Sequence, residues 1–92
     1  MNKEIKKDIE ETIELMRNLA ADTTVPRNIR FVVTESVEKL VKEEPDKSVG
    51  IGTVIYALED ISNDINMPAH TRTEIWTIIS TLESIKEKLN QQ

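Results

Sequence analysis

Asp22-Thr23-Thr24-Val25-Pro26-Arg27-Asn28-Ile29-Arg30 returns 42 residues later as Asp64-Ile65-Asn66-Met67-Pro68-Ala69-His70-Thr71-Arg72. Both stretches fit Asp-x-x-(Val/Met)-Pro-x-x-x-Arg. In each, the proline marks the start of a helix, where its fixed φ suits the first turn and its missing N–H leaves nothing unsatisfied. Thr24 or Val25 is the expected cap of the first of these helices. The same offset continues outside the motif, laying Ile9 on Ile51, Ile13 on Ile55, Met16 on Leu58, Leu19 on Ile61 and Leu40 on Leu82. The chain therefore reads as two copies of one helical hairpin, residues 2–44 and 46–90, within a single all-helical domain spanning 1–92.

The hydrophobic period is helical throughout. Ile5, Ile9, Ile13, Met16, Leu19 and Ala20 form one stripe, opposite Lys6, Glu10, Glu14 and Arg17. Ile29, Val32, Val33, Val37 and Leu40 form the second. Their β-branched content hints at a strand, but the i, i+3, i+4 spacing and the charges at Glu35, Glu38 and Lys39 favour a helix. Glu44-Pro45-Asp46 interrupts the chain, and Asp46 or Ser48 is suited to cap a third helix running to about Ser62. Its stripe is Ile51, Val54, Ile55, Leu58 and Ile61. The last helix carries Ile75, Ile78, Ile79, Leu82, Ile85 and Leu89 in a near-heptad pattern. Short connections make successive helices antiparallel neighbours. The predicted fold is a four-helix up-down bundle made of two tandem hairpins. A HEAT-like pair of stacked hairpins is the alternative, because the period lies in the range of such repeats.

Composition removes several functional classes. The 92 residues carry 12 basic and 17 acidic side chains, a net charge of −5, and both halves are acidic. That balance argues against a duplex nucleic-acid binder, which presents a basic face. With no cysteine there is no disulfide scaffold, thiolate metal site or cysteine nucleophile, and the chain suits a reducing cytoplasm. No apolar run approaches the length of a membrane span, and Lys3, Lys6 and Lys7 lead into no signal-peptide core. Two glycines leave no phosphate-cradling loop. The single histidine, His70, has Met67 three residues before it, so the Glu-x-x-His pairs of a di-iron bundle are absent. No residue is assigned a catalytic role and no cofactor is implied.

The stretches Thr24–Arg30 and Asn63–Trp76 also carry a resemblance that extends over nearly the whole chain. They resemble an archaeal family of small proteins, uncharacterised protein family 0147. The resemblance implies a small all-helical archaeal protein without an assigned activity, and it supplies no catalytic residues to carry over. Ile65 stands where that family often has proline.

Three features remain as candidate sites. In an up-down bundle the second and fourth helices start at the same end, which gathers Arg27, Asn28, Arg30, Asn66, His70 and Arg72. With two helix N-termini beside them, these are the ingredients of a weak site for a phosphate-bearing ligand or RNA. The competing structural reading pairs Arg30 and Arg72 with Asp22 and Asp64 to hold the turns. The second feature is a lack of charge, from Ser48 to Leu58 and from Ile75 to Leu82. Val49, Gly52, Tyr56 and, ~130° from the centre of its helix's stripe, Trp76 would then face outward. Such a surface suits self-association, with a homodimer favoured, or an unknown protein partner. Phe31, ~180° from its stripe, is a single exposed apolar residue and carries no argument. The third feature is the acidic runs Glu10-Glu11-Glu14, Glu43-Glu44-Asp46 and Glu59-Asp60-Asp64, which read as solvated faces, or at most as weak hard-cation ligands of a carboxylate metal enzyme.

Overall fold

Four helices form in the order the sequence dictates: α1 (Lys3–Ala21), α2 (Arg27–Val41), α3 (Lys47–Ile61) and α4 (Ala69–Asn90). The computed structural model describes residues 2–42 and 45–91. Glu43 and Glu44, two of the three residues of one acidic run, lie outside the described residues.

The helix starts come in two kinds. Asn2 Oδ1 accepts the Ile5 N–H at 2.8 Å, and Asp46 Oδ1 accepts the Val49 N–H at 3.2 Å, so α1 and α3 begin on side-chain caps. Helices α2 and α4 begin on Pro26 and Pro68, each in the capping position with no side-chain cap. This corrects the expectation that Thr24 or Val25 caps α2. The proline stands one residue earlier than its preferred first-turn position, and its own carbonyl opens the helix, accepting from Arg30 in one case and Arg72 in the other. Lys47 reaches back from α3 to donate from Nζ to the carbonyls of Leu40, at 2.6 Å, and Lys42, satisfying the end of α2.

Around the bundle α1 packs on α2 and α4, and α3 packs on α2 and α4; no pair packs across the diagonal among the described residues. That arrangement separates the two predicted architectures. Stacked repeats would set α1 beside α3 and α2 beside α4. Here the two hairpins meet antiparallel and close the ring through α1 and α4. Lys88 of α4 straps this closure, donating to Glu4 at 3.1 Å and Asp8 at 3.0 Å on α1. The hydrogen bonds to Asp8 and Glu4 hold the Lys88 ammonium above its ordinary range. The particle measures 39 × 19 × 19 Å. Its long axis is near the ~33 Å expected of a 22-residue helix at 1.5 Å per residue.

The four predicted stripes fill the centre, with Met16, Ile29, Ile51, Leu58, Ile75 and Leu82 fully buried. Val32, Ala20, Ile61 and Leu89 sit at the rim rather than inside. Val25 and Met67, the residues before the two motif prolines, are buried in the same core and plug its turn end. No described helix is long and apolar enough to cross a membrane.

Candidate functional site

At the turn end, each copy of the motif builds a turn. Asp22 Oδ1 accepts the Thr24 N–H at 2.9 Å and the Thr24 hydroxyl at 2.6 Å, while the Val25 N–H donates to the Asp22 carbonyl. Asp64 Oδ1 accepts the Asn66 N–H at 2.8 Å, and the Met67 N–H donates to the Asp64 carbonyl. Aspartate is suited to this role because its short carboxylate reaches its own backbone two residues on. The arginines then lock the turns from the helix side. Arg30 Nε donates to the Val25 carbonyl at 2.9 Å. Arg72 donates from Nε to Ser62 at 3.0 Å and from a terminal nitrogen to Asp64 at 2.8 Å, both main-chain carbonyls.

The expected Arg30–Asp22 and Arg72–Asp64 ion pairs are therefore replaced by bonds to partly buried main-chain carbonyls. The two turns also touch. Asn28 Nδ2 donates to Asp64 Oδ2 at 2.9 Å, joining the first motif to the second. The Asp22 carboxyl is held below its ordinary range first by the hydrogen bonds from Thr24, with smaller attractions from His70 and Arg30. Asp64 is held down first by Asn28, then by the Asn66 amide, with Arg72 adding attraction. Of the six residues gathered at this end, Asn28, Arg30, Asn66 and Arg72 take part in the turn bonding, and Arg27 and His70 lie exposed beside them. Two carboxylates held ionised among these cations leave the end of mixed sign.

The outer face of α3 is of another kind. Val49 is 64% exposed and Tyr56 76% exposed. Gly52 lies between them, and a Cβ placed on it would stand 3.2 Å from Lys86 Nζ of α4. An open groove there is lined by Ser48, Val49, Gly52, Thr53, Tyr56 and Lys86. A second groove runs on between α3 and α4 past Glu59, Glu83 and Glu87. Trp76, 46% exposed, lines neither. The structure thus brings Val49, Gly52 and Tyr56 together and leaves Trp76 apart, and charged side chains of α4 border the uncharged run of α3. Among the described residues, no three His, Cys, Asp or Glu side chains stand together to hold a metal ion.

With this geometry in hand, comparison with known proteins places the chain. The model of uncharacterised protein family UPF0147 matches residues 1–85. The chain belongs to that family. A UPF0147 protein of Methanocaldococcus jannaschii is 47% identical over 72 residues, 78% of this chain and 77% of the relative. A UPF0147 protein of Pyrococcus horikoshii is 42% identical over 83 residues, 89% of each. The crystal structure of a UPF0147 protein from Thermoplasma acidophilum superposes with a TM-score of 0.83 at 39% identity, covering 87% of this chain and 94% of that one. These relatives are archaeal, the Thermoplasma acidophilum protein shares this fold, and the family carries no indication of catalytic function.

Two features escaped sequence reading. Asn28 looked like an anion ligand and is instead the link between the two turns. Thr71, in the first turn of α4, is fully buried, and its hydroxyl has no hydrogen-bond partner. Its counterpart 42 residues earlier is Ile29, and that mismatch was the available signal.

Proposed function

We propose that this protein is a non-enzymatic cytoplasmic interaction protein that works as a self-associated unit, with a homodimer as its basic form. One observation supports this above the others: Val49 and Tyr56 stand exposed on the outer side of α3, within its uncharged run from Ser48 to Leu58. A surface helix ordinarily turns charges to solvent, and an exposed aromatic on a helix run without charges, with charged side chains at its border, is the composition of an interface anchor and its rim. A small core also gains most from association, since binding adds to the stability of the folded state.

The turn end supports a binder of phosphate-bearing ligands or RNA less well. Arg30 and Arg72 direct donors at main-chain carbonyls, and the ionised Asp22 and Asp64 stand among them. Light scattering across the micromolar range tests the leading reading and is expected to give twice the chain mass. Tyr56→Glu is expected to return the monomer mass with an unchanged helical circular dichroism spectrum. A wild-type monomer mass throughout that range would overturn the reading.

A further inference from the structure

The seam between α1 and α4 is closed differently at its two ends. At one end Lys88 of α4 lies across Glu4 and Asp8 of α1, at 3.1 and 3.0 Å. Two heptads further along α1 and two heptads back along α4, the same antiparallel register sets Glu74 in the place of Lys88, and Asn18 and Asp22 in the places of Glu4 and Asp8. There the seam opens into a groove bordered by Asn18, Asp22 and Glu74. Arg30 and His70 attract Asp22, yet no ion pair to Asp22 or Glu74 forms among the described residues. Carboxylates line both ends of the seam, but only the far end has a cation to bridge them.

The rest of the groove is apolar and short of donors. Buried Leu19 and Ile78 line it, and Leu15, 52% exposed, stands beside them. On α4, Thr73 and Thr77 donate their hydroxyls to the carbonyls of Ala69 and Thr73, at 3.2 and 3.0 Å. Each threonine thereby spends its one donor on its own helix and offers the groove only a methyl group and an acceptor oxygen. Asn18 is the one lining side chain that keeps a donor. An occupant that fits must bring positive charge and N–H donors together with apolar surface. Lysine and arginine combine these in one side chain, an apolar stem under a charged head. We propose that this groove docks a basic segment of a partner protein, setting a lysine or arginine head between Asp22 and Glu74 and an apolar neighbour against Leu15. Leu15 lies ~10.5 Å from Asp22 along α1, so a helical partner laid along the seam presents its two anchors as residues i and i+7. A second copy of this chain is a poor occupant, because its net charge of −5 opposes the same carboxylates. The groove shares no residue with the one on the outer side of α3, so this docking is separate from the self-association proposed above.

The test uses a pair of alanine-rich helical peptides, each carrying a leucine at position i and, at i+7, either arginine or glutamate. Titration with the arginine peptide is expected to move the amide NMR signals of Leu15, Asp22, Glu74 and Thr77 and to saturate; the glutamate peptide is expected to leave them in place. Glu74→Lys supplies the missing cation from within, setting a lysine over Asn18 and Asp22 as Lys88 is set over Glu4 and Asp8. Position 74 is exposed, so the variant is expected to fold, with a melting temperature raised by roughly 1–4 °C. It is expected to bind the arginine peptide about tenfold more weakly or worse, because a like charge now occupies the groove. Equal responses to the two peptides would overturn the proposal, as would undiminished binding of the arginine peptide by Glu74→Lys. No shift with either peptide would overturn it too. Spermidine is titrated alone as a control for a free polyamine; shifts as large as those from the arginine peptide would overturn the assignment to a protein segment. Light scattering on the same samples reads self-association independently, and a monomer mass there would overturn the homodimer without touching the groove.

Discussion

The turn before α2 and the turn before α4 share an aspartate, a buried apolar residue, a proline and an arginine at the same spacing, yet they are held differently. In the first, Asp22 finds both donors in Thr24, and Arg30 makes one bond to Val25, five residues back. That turn is satisfied from within. In the second, Asp64 uses one oxygen on its own loop and the other on Asn28 of the first, while Arg72 reaches Ser62 and Asp64, ten and eight residues back. The shared letters define the shape of each turn. The residues between them decide which turn ties the hairpins together: a hydroxyl at position 24 satisfies its aspartate locally, and an amide at position 28 is left to bond across.

The largest difference to probe lies under the turns, where Ile29 and Thr71 occupy equivalent places in the first turns of α2 and α4. Both are fully buried, but only Thr71 brings a hydroxyl, and it is unpartnered. Ile29→Thr gives the first hairpin the same burden, combining lost apolar volume with a second buried hydroxyl. It is expected to cost about 2–4 kcal/mol. Urea denaturation measures this, and a loss within experimental error of zero would mean the two sites differ in their surroundings and not only in their side chain.

Next in size is the arginine comparison. Arg72→Met removes two bonds to partly buried carbonyls and Arg30→Met removes one. Leaving such acceptors unmet is worth about 1–3 kcal/mol, so Arg72→Met is expected to lower the melting temperature more than Arg30→Met. The opposite order would show that the first turn, not the second, carries the junction.

What the sequence made legible follows from the kind of signal it holds. Helix periods are written in side chains, so the four elements and their inward faces could be read directly, and prolines fixed the starts of α2 and α4 to within one residue. The outward placement of Val49, Gly52 and Tyr56 came from the same helical wheel. The destinations of Arg30 and Arg72 could not be read, because a main-chain carbonyl has no letter; only the carboxylates were visible as partners. The closed bundle was the expected fold, but the stripes by themselves left the stacked pair open as an alternative. Stacked and closed hairpins bury the same stripes, and the choice rests on contacts such as Lys88 with Glu4 and Asp8, 84 and 80 residues apart in sequence.

Thr71 offers a gain where Ile29 offers a loss. Thr71→Val keeps the shape of the side chain and removes the unmet hydroxyl. It is expected to raise stability by about 1 kcal/mol, which for a domain of this size is ~4–8 °C in melting temperature. An unchanged melting temperature would mean that the hydroxyl is satisfied in solution by a water.

The smallest effect is acidic and separates the turns most cleanly. Asp22 and Asp64 both titrate below their ordinary value of 3.8 in the folded chain. A depressed folded value means the carboxylates stabilise the fold fully above the unfolded value, and this contribution is lost as pH falls through the folded one. Both groups are solvent-exposed, so the change in stability is slight, and carboxyl-carbon NMR is the better readout. Asn28→Ala removes the strongest influence on Asp64 and none of those acting on Asp22. It is expected to move the Asp64 midpoint up toward its ordinary value and leave Asp22 in place. Thr24→Val is expected to do the reverse. If either substitution moved both midpoints together, the two turns would be one electrostatic unit, and the distinction between a self-contained turn and a bridging one would fail.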